Sequence, residues 1–271
     1  MKQNFSIGIV GSGKMGEVMI KGIVRGEVTS PELIIATGPR DERGVELRDR
    51  YKIHTSTSNL AVVEADVVIL AIRPLHLAAV LEQLRGKIPK SSAILSIVTA
   101  KPIAMIARWL HSTNIVRAAL NTPCAIGKGV IEWTSQSTIS EQAIRPVVSI
   151  FNALGKHYPV SDEDSVDRGT VCEGTGSAMV YYGAECLIDG AVRIGASRHA
   201  AERRTLEMMQ GTIEYALSQL GEKSVTDLRH EVTSPGGTTC AAVYELDRGG
   251  SRVAVADAMK AAHKCVKELR K

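Results

Sequence analysis

Apolar and polar positions change period repeatedly along the first 160 residues. Phe5–Val10 is a short apolar run that stops at glycines, which predicts a buried strand. Lys14–Arg25 then places Met15, Val18, Met19, Gly22 and Ile23 on one helical face. Leu33–Thr37 predicts a second strand, Asp41–Tyr51 a charged surface helix and Asn59–Glu64 a short helix. Asp66–Ile72 is a strand with no polar residue after its first. Leu75–Leu84 predicts a helix, Ser92–Val98 a strand, Pro102–Leu110 a helix with Pro in its first turn, and Asn114–Ala119 a strand. Val130–Thr134 and Lys156–Val160 are two last strands flanking the helix Glu141–Leu154. Nearly continuous apolar strands alternating with helices predict a parallel sheet covered on both faces. Such sheets bind ligands at the carboxyl ends of their strands.

Beyond residue 160 the strand pattern stops. Gly176–Arg193, Arg198–Gln219, Thr238–Asp247 and Ser251–Leu269 all carry helical spacing. The reading is therefore an α/β domain over residues 1–160 followed by an all-α domain over 161–271. Gly176–Val192 is apolar on nearly every face, so it must be buried against something.

Composition narrows the classes. With 44% apolar and 23% charged residues the chain is globular, and 4% aromatics disfavours a base-stacking nucleic-acid module. A net charge of +4 without a run of like charges implies neither a DNA nor a membrane patch. The apolar segment Ser177–Val192 is interrupted by Glu185 and Asp189, so no membrane span is expected. No secretory leader is visible from Lys2 through Gly13. Cys124, Cys172, Cys186, Cys240 and Cys265 include no CxxC pair, which suits free thiols in a reducing cytoplasm rather than a disulfide or zinc framework. The histidines show no metal spacing, and no metal is expected.

Gly11-Ser12-Gly13-Lys14-Met15-Gly16 is a GxGxxG turn, and here it links a predicted strand to a predicted helix. Gly11 allows the tight turn, Gly13 lets backbone approach a diphosphate, and Gly16 lets the helix pack on the strand. The second strand ends in Ala36-Thr37-Gly38-Pro39-Arg40, with Arg43 one turn on and no carboxylate at the strand end. A hydroxyl and guanidiniums suit a ribose 2′-phosphate, which predicts NADP(H) in preference to NAD(H). The fold class expected is therefore an α/β Rossmann-type parallel-sheet domain followed by an all-α dimerisation domain.

At Asn121-Thr122-Pro123 and at Val232–Thr239, VTSPGGTT, the sequence resembles the pyrroline-5-carboxylate reductase family. Val116–Pro123 looks like that family's VRAMPNTP segment, and Leu70–Pro74 like its AVKP segment. The resemblance extends from Ile7 to the final helix. It implies NAD(P)H-dependent reduction of the cyclic imine 1-pyrroline-5-carboxylate to L-proline, the last step of proline biosynthesis, in the cytoplasm. It implies a Rossmann-type domain and a helical domain that forms a homodimer, with higher oligomers open. Cofactor-binding residues carried over are Gly11 to Gly16, Asn59 near the adenosine, Ile72, Arg73 and Pro74 on the nicotinamide side, and Asn121. Substrate-binding residues carried over are Ser234, Gly236, Gly237, Thr238 and Thr239. Departures occur at Glu173 and Ser177, where the family has Ser and Pro, at Ala119-Leu120 in place of Met-Pro, and at Lys223-Ser224 in place of His-Pro.

Chemistry supports the same assignment. Two glycines followed by Thr238-Thr239 at a helix start make an anion pocket for an imino-acid carboxylate. Capping by Ser234 or Thr238 alone is the simpler alternative. Thr239 is the catalytic candidate, placed to contact the imine nitrogen, with Glu185 and Asp189 as rivals. A β-hydroxyacid dehydrogenase would need a Lys in the helix after Gly174, and Gly174–Val192 has none. A nucleotide-binding sensor need not keep the octapeptide. A reductase of a related cyclic imine stays open.

Overall fold

A computed structural model describes residues 4–270. The reading of the N-terminus from Lys2 lies partly outside them. Strands β1 (Ile7–Val10), β2 (Ile34–Thr37), β3 (His54–Ser56), β4 (Val67–Leu70), β5 (Ala93–Ser96), β6 (Ile115–Leu120), β7 (Gly129–Ser135) and β8 (Gly155–Pro159) form one sheet among the described residues. Their order is β3-β2-β1-β4-β5-β6-β7-β8. The order reverses at the β1/β4 neighbours, which makes the crevice at their carboxyl ends the expected ligand position.

Helices α1 (Lys14–Arg25), α2 (Asp41–Tyr51), α3 (Leu77–Leu84), α4 (Ile103–Leu110), α5 (Glu141–Leu154) and α6 (Glu163–Gly169) follow in the same compact unit. One core cluster joins Ile9, Met19 and Ile23 to Ile150 and Phe151 of α5. The other joins Leu70 and Ile94 to Leu77 and Leu81 of α3 and Ile106 of α4. The apolar strands are thus buried from both sides, as their unbroken hydrophobic runs require.

The structure departs from the expected all-parallel sheet at β7, which runs antiparallel to β6. Only residues 121–128 join the two strands, too few for a parallel crossover. β8 is again parallel to β7, with α5 as its crossover. The short helices expected at Asn59–Glu64 and at the start of Leu75–Leu84 are 3₁₀ turns, Asn59–Val62 and Pro74–His76. The sequence reading put the boundary at 160/161. The compact units instead divide after Thr175, and the first unit also takes the end of the last helix from Ala262 onward.

A buried charge explains why α6 stays with the sheet. Arg117 of β6 is 1% exposed. It donates to the Asp167 carboxylate and, at 3.2 Å, to Glu163 Oε2, both on α6. Glu163 Oε2 also accepts the Ile103 N–H at the start of α4, at 2.9 Å. The end of the last helix closes the network: Arg270 pairs with Asp164 and, at 3.5 Å, with Asp167, while Lys101 Nζ donates to the Leu269 carbonyl at 2.6 Å.

The second unit contains α7 (Gly176–Arg193), α8 (Arg198–Ser218), α9 (Val225–Glu231), α10 (Thr238–Arg248) and most of α11 (Ser251–Arg270). Helix α9 begins at a capping box of Ser224 and Asp227, so Ser224 at the His-Pro departure serves as a cap. In α7 only Ala184 and Ile188 are buried, and Val180, Tyr181, Tyr182 and Leu187 are exposed. None of the helices among the described residues is long and apolar enough to cross a membrane.

Arg117→Met should lower the unfolding free energy by about 3–5 kcal/mol, because it leaves buried Asp167 without its main partner. A urea titration measures this. A loss no larger than that of an exposed Arg would show that the network contributes little.

Candidate active site

The glycine turn is shaped by contacts that a side chain would block. Gly11 has φ +111°, and a β-carbon there would lie 2.4 Å from the Ala71 carbonyl oxygen. One on Gly16 would lie 1.9 Å from the Gly11 carbonyl oxygen, so helix and turn can touch only without it. Gly13 is different: nothing lies within 4 Å of its β position. It is the N-cap of α1 and carries no side-chain cap, so the first N–H groups of the helix stay open. Open space beside uncapped N–H donors fits a diphosphate.

A cleft of about 630 Å³ extends from this turn. The predicted residues Gly11, Ser12, Gly13, Lys14, Met15, Arg40, Ile72, Arg73 and Pro74 line it. A second cleft of about 300 Å³ has Ala118–Thr122 as one wall and Thr170, Gly174 and Thr175 as the other. Met15, Ile97 and Thr99 line both clefts, so the two run together. Asn121 lies in the second cleft, and its Oδ1 accepts the Val130 N–H at 3.1 Å, which fixes the turn after β6. Thr122 Oγ1 is buried there without a hydrogen-bond partner, a polar atom suited to a ligand. Cys124 follows in the same turn, and burial pushes its thiol up to about 11.

Other predicted residues are engaged elsewhere. Thr37 is buried, and its hydroxyl donates to Asn59 Oδ1 at 2.8 Å. Asn59 Nδ2 in turn donates to Gln83 Oε1 at 2.9 Å. The two are brought together but neither lines the cleft. Arg43, expected at the 2′-phosphate, is spent on carboxylates. It pairs with Glu17, donates to Glu46 Oε2 at 2.7 Å, and reaches the Ser12 carbonyl through Nε at 3.1 Å. Burial alone would raise Glu17, but hydrogen bonds from Arg43 and Tyr51 and the charges of Arg43 and Arg50 hold it below the usual carboxylate range. Arg40 is exposed at the cleft and has no ion pair among the described residues.

In the second unit, Ser234–Gly237 is a turn closed by the Gly237 N–H on the Ser234 carbonyl at 3.0 Å, with Gly236 at φ +72°. Gly237 is the N-cap of α10 and there is no side-chain cap. Capping by Ser234 or Thr238 is therefore not what these residues do. Thr239 is half-buried and Thr238 exposed. Of the rival carboxylates, Asp189 is taken by Arg198, at 2.5 Å. Trp133 packs on Phe151 and donates to His157 at 3.2 Å, which makes it a core residue.

Sequence reasoning did not single out Ile97, Thr99, Thr122, Thr170 or Thr175 as cleft residues. Ile97 and Thr99 follow the carboxyl end of β5, so the rule that such ends bind ligands could have found them. Thr170 and Thr175 sit in a polar π-helical turn with no hydrophobic pattern.

A glycine turn on β1, open helix donors and a cleft at the switch of strand order define an NAD(P)-binding oxidoreductase with a helical second domain. The family pattern described as pyrroline-5-carboxylate reductase dimerisation matches residues 163–269, and that described as NADP oxidoreductase coenzyme F420-dependent matches residues 6–100. The pyrroline-5-carboxylate reductase of Corynebacterium melassecola is 31% identical over 98% of this chain and 99% of the relative, and that of Arabidopsis thaliana 29% over 98% and 96%. The solved pyrroline carboxylate reductase of Plasmodium falciparum, with NADP bound, superposes with a TM-score of 0.90 at 26% identity over 100% of both chains. That of Coxiella burnetii gives 0.84 at 29% identity, over 99% and 100%. The chain belongs to the pyrroline-5-carboxylate reductase family.

Because Arg43 braces the Ser12 carbonyl through its ties to α1 and α2, Arg43→Ala should raise KM for NADH and NADPH by the same factor. Steady-state kinetics with both cofactors check this; a loss confined to NADPH would return Arg43 to the 2′-phosphate.

Proposed function

We propose that the protein reduces 1-pyrroline-5-carboxylate to L-proline with NADPH in preference to NADH, as a homodimer built through its helical unit, in the cytoplasm. The observation that carries the reading is the start of α10. Its cap, Gly237, is a glycine without a side-chain bond; Ser234 stands three residues before it, and Thr238 and Thr239 follow it. First-turn N–H groups left open in this way suit the carboxylate of an imino acid.

The first unit holds the cofactor. Gly13 and the N–H groups of α1 take the diphosphate, and the exposed Arg40 takes the 2′-phosphate in place of Arg43. Ile72, Arg73 and Pro74 line the cleft toward the nicotinamide end. Bound there, the reduced nicotinamide supplies the hydride. Residues of the second unit orient the imino acid: Ser234, Gly236, Gly237 and Thr238 hold its carboxylate. Thr239 donates a hydrogen bond to the ring nitrogen, which keeps the electron pair of the C=N bond as hydride is added to carbon and takes its proton from solvent. A cyclic imine is basic enough that positioning and one donor suffice. Exposed Tyr181, Tyr182 and Tyr244 supply apolar surface for a second copy.

A related cyclic imine is the second reading, motivated by Ala119 and Leu120 in the wall of the smaller cleft. Comparing kcat/KM for five- and six-membered cyclic imino acids decides between them; preference for the larger ring overturns the assignment to proline.

Arg40→Ala should raise KM for NADPH by about ten- to a hundredfold, the loss of one charge-assisted hydrogen bond, and leave NADH unchanged. Thr239→Ala should lower kcat by about ten- to a thousandfold, since a donor to the nitrogen is worth most in the transition state. Thr239→Ser should keep much more of the rate. Equal losses in the two variants, with cofactor affinity intact, would mean that only the methyl group matters.

A further inference from the structure

Helices α3 and α4 bury apolar residues in the same core cluster. Beside them lies a cleft of about 610 Å³, lined by Arg85, Ala104, Met105, Arg108 and Trp109. It is close in size to the cofactor cleft and shares no residue with it. Arg85 is the residue that ends α3, and the other four recur at the spacing of one face of α4. Met105 and Trp109 pack against the core cluster, so the floor of the cleft is anchored. Both helices lead away from the cofactor cleft: Pro74 and His76 precede α3, and Ile97 and Thr99 precede α4.

The polar groups of this second cleft are donors. Arg108 makes no hydrogen bond or ion pair among the described residues, and the Trp109 indole N–H has no acceptor. Arg85 reaches only Glu82, its neighbour on α3, at 3.8 Å, and both side chains are more than half exposed. Such a pair contributes little and exchanges easily. No carboxylate lines the cleft among the described residues. Neither guanidinium lies over the indole; the cation found over a ring is Arg50, on Tyr51. Arg108 stands in the last turn of α4, where a cation favours the helix dipole. That duty accounts for neither Arg85 nor the open indole.

A ligand that matches this surface brings acceptor oxygens and negative charge to two guanidiniums, and a flat apolar part to the indole and Met105. Carboxylate and phosphate suit the guanidinium fork alike. We propose that this cleft is a second ligand site, separate from the cofactor cleft, for a small planar anion: an aromatic or heteroaromatic ring bearing a carboxylate or phosphate. Arg85 and Arg108 hold the anionic group, and the ring lies against Trp109 and Met105.

The chain carries its own reporter. Its two tryptophans are Trp109 and Trp133, and Trp133 is buried against Phe151. Tryptophan fluorescence is titrated with benzoate, phenyl phosphate, inorganic phosphate and benzamide, in excess NADP+ so that the probes do not compete for the cofactor cleft. Benzoate or phenyl phosphate should give a saturable change with a Kd of about 0.1–10 mM, the range for a ligand of this size. The stronger of the two shows which anionic group the site is built for. Inorganic phosphate lacks the ring and benzamide lacks the charge, and each should bind about tenfold more weakly or worse. Arg85→Ala and Arg108→Ala should each weaken binding about tenfold, the loss of one charge-assisted contact. Both arginines are exposed, so circular dichroism should show an unchanged fold. Trp109→Phe should abolish the fluorescence change while calorimetry still detects binding. Absence of a saturable change overturns the proposal. So does a response that survives both arginine substitutions, which places the probe elsewhere. Inorganic phosphate binding as tightly as phenyl phosphate overturns the planar ligand. A change of sedimentation in the double arginine variant makes this face a contact between copies and overturns the ligand site. None of these readouts uses imine reduction, so they stand or fall apart from the function proposed above.

Discussion

A guanidinium buried inside a sheet must be met by carboxylates, and the surroundings of the smaller cleft follow from that demand. Arg117 sits on β6, the strand that runs on into the Ala118–Thr122 wall. Its partners Asp167 and Glu163 both come from α6, so that helix is drawn against the strand. The polypeptide leaving α6 then has no choice but to pass the end of β6, and Thr170–Thr175 becomes the facing wall. Glu163 also caps α4, and Arg270 brings in the end of the chain. Buried ion pairs contribute little net stability against an apolar alternative, but they discriminate sharply between arrangements. Here the arrangement they select is the one with a cleft.

The site itself is defined largely by side chains that are missing. At Gly11 and Gly16 a β-carbon would collide with backbone carbonyls, so the glycines bring chain segments together. At Gly13 nothing would collide, and the same residue type keeps space clear instead. Gly169 combines the two roles by leaving room for the carboxyl groups of Glu132 and Glu173. The same letter in the sequence therefore serves close approach, vacancy and charge accommodation, and only the neighbours distinguish them.

That explains what could be read beforehand and what could not. Helices α1, α5 and α7 were legible to the residue because each has an apolar stripe or run, and α2 because its charged residues mark a solvated helix. Strand β3, His54–Ser56, has no apolar residue and could not be seen by periodicity. Helix α6 was hidden because its buried face is Asp167 beside Val166, a charge placed for Arg117 rather than for a hydrophobic stripe. The glycine turn, Arg40 and the Ile72–Pro74 stretch fall where motif and strand order put them. Arg43 was misjudged because its partners Glu17 and Glu46 lie on two helices, and proximity in space to Glu17 is not written in the spacing. The direction of β7 was missed because apolar alternation is the same for either orientation, and only the short connection decides it.

The ends of the sheet order have a further meaning for how copies of this chain can meet. One edge strand, β3, is three residues long and polar. The other, β8, ends at Pro159, which has no N–H to donate, and exposes Lys156. Short, charged or proline-ended borders do not template another strand. Neither border of the sheet therefore invites edge-to-edge pairing. The helical half, with its exposed tyrosines and leucines, has no such protection of its own. The exposed large apolar side chains of the chain are thus concentrated on its helices, with Tyr158 alone on a border strand of the sheet among the described residues.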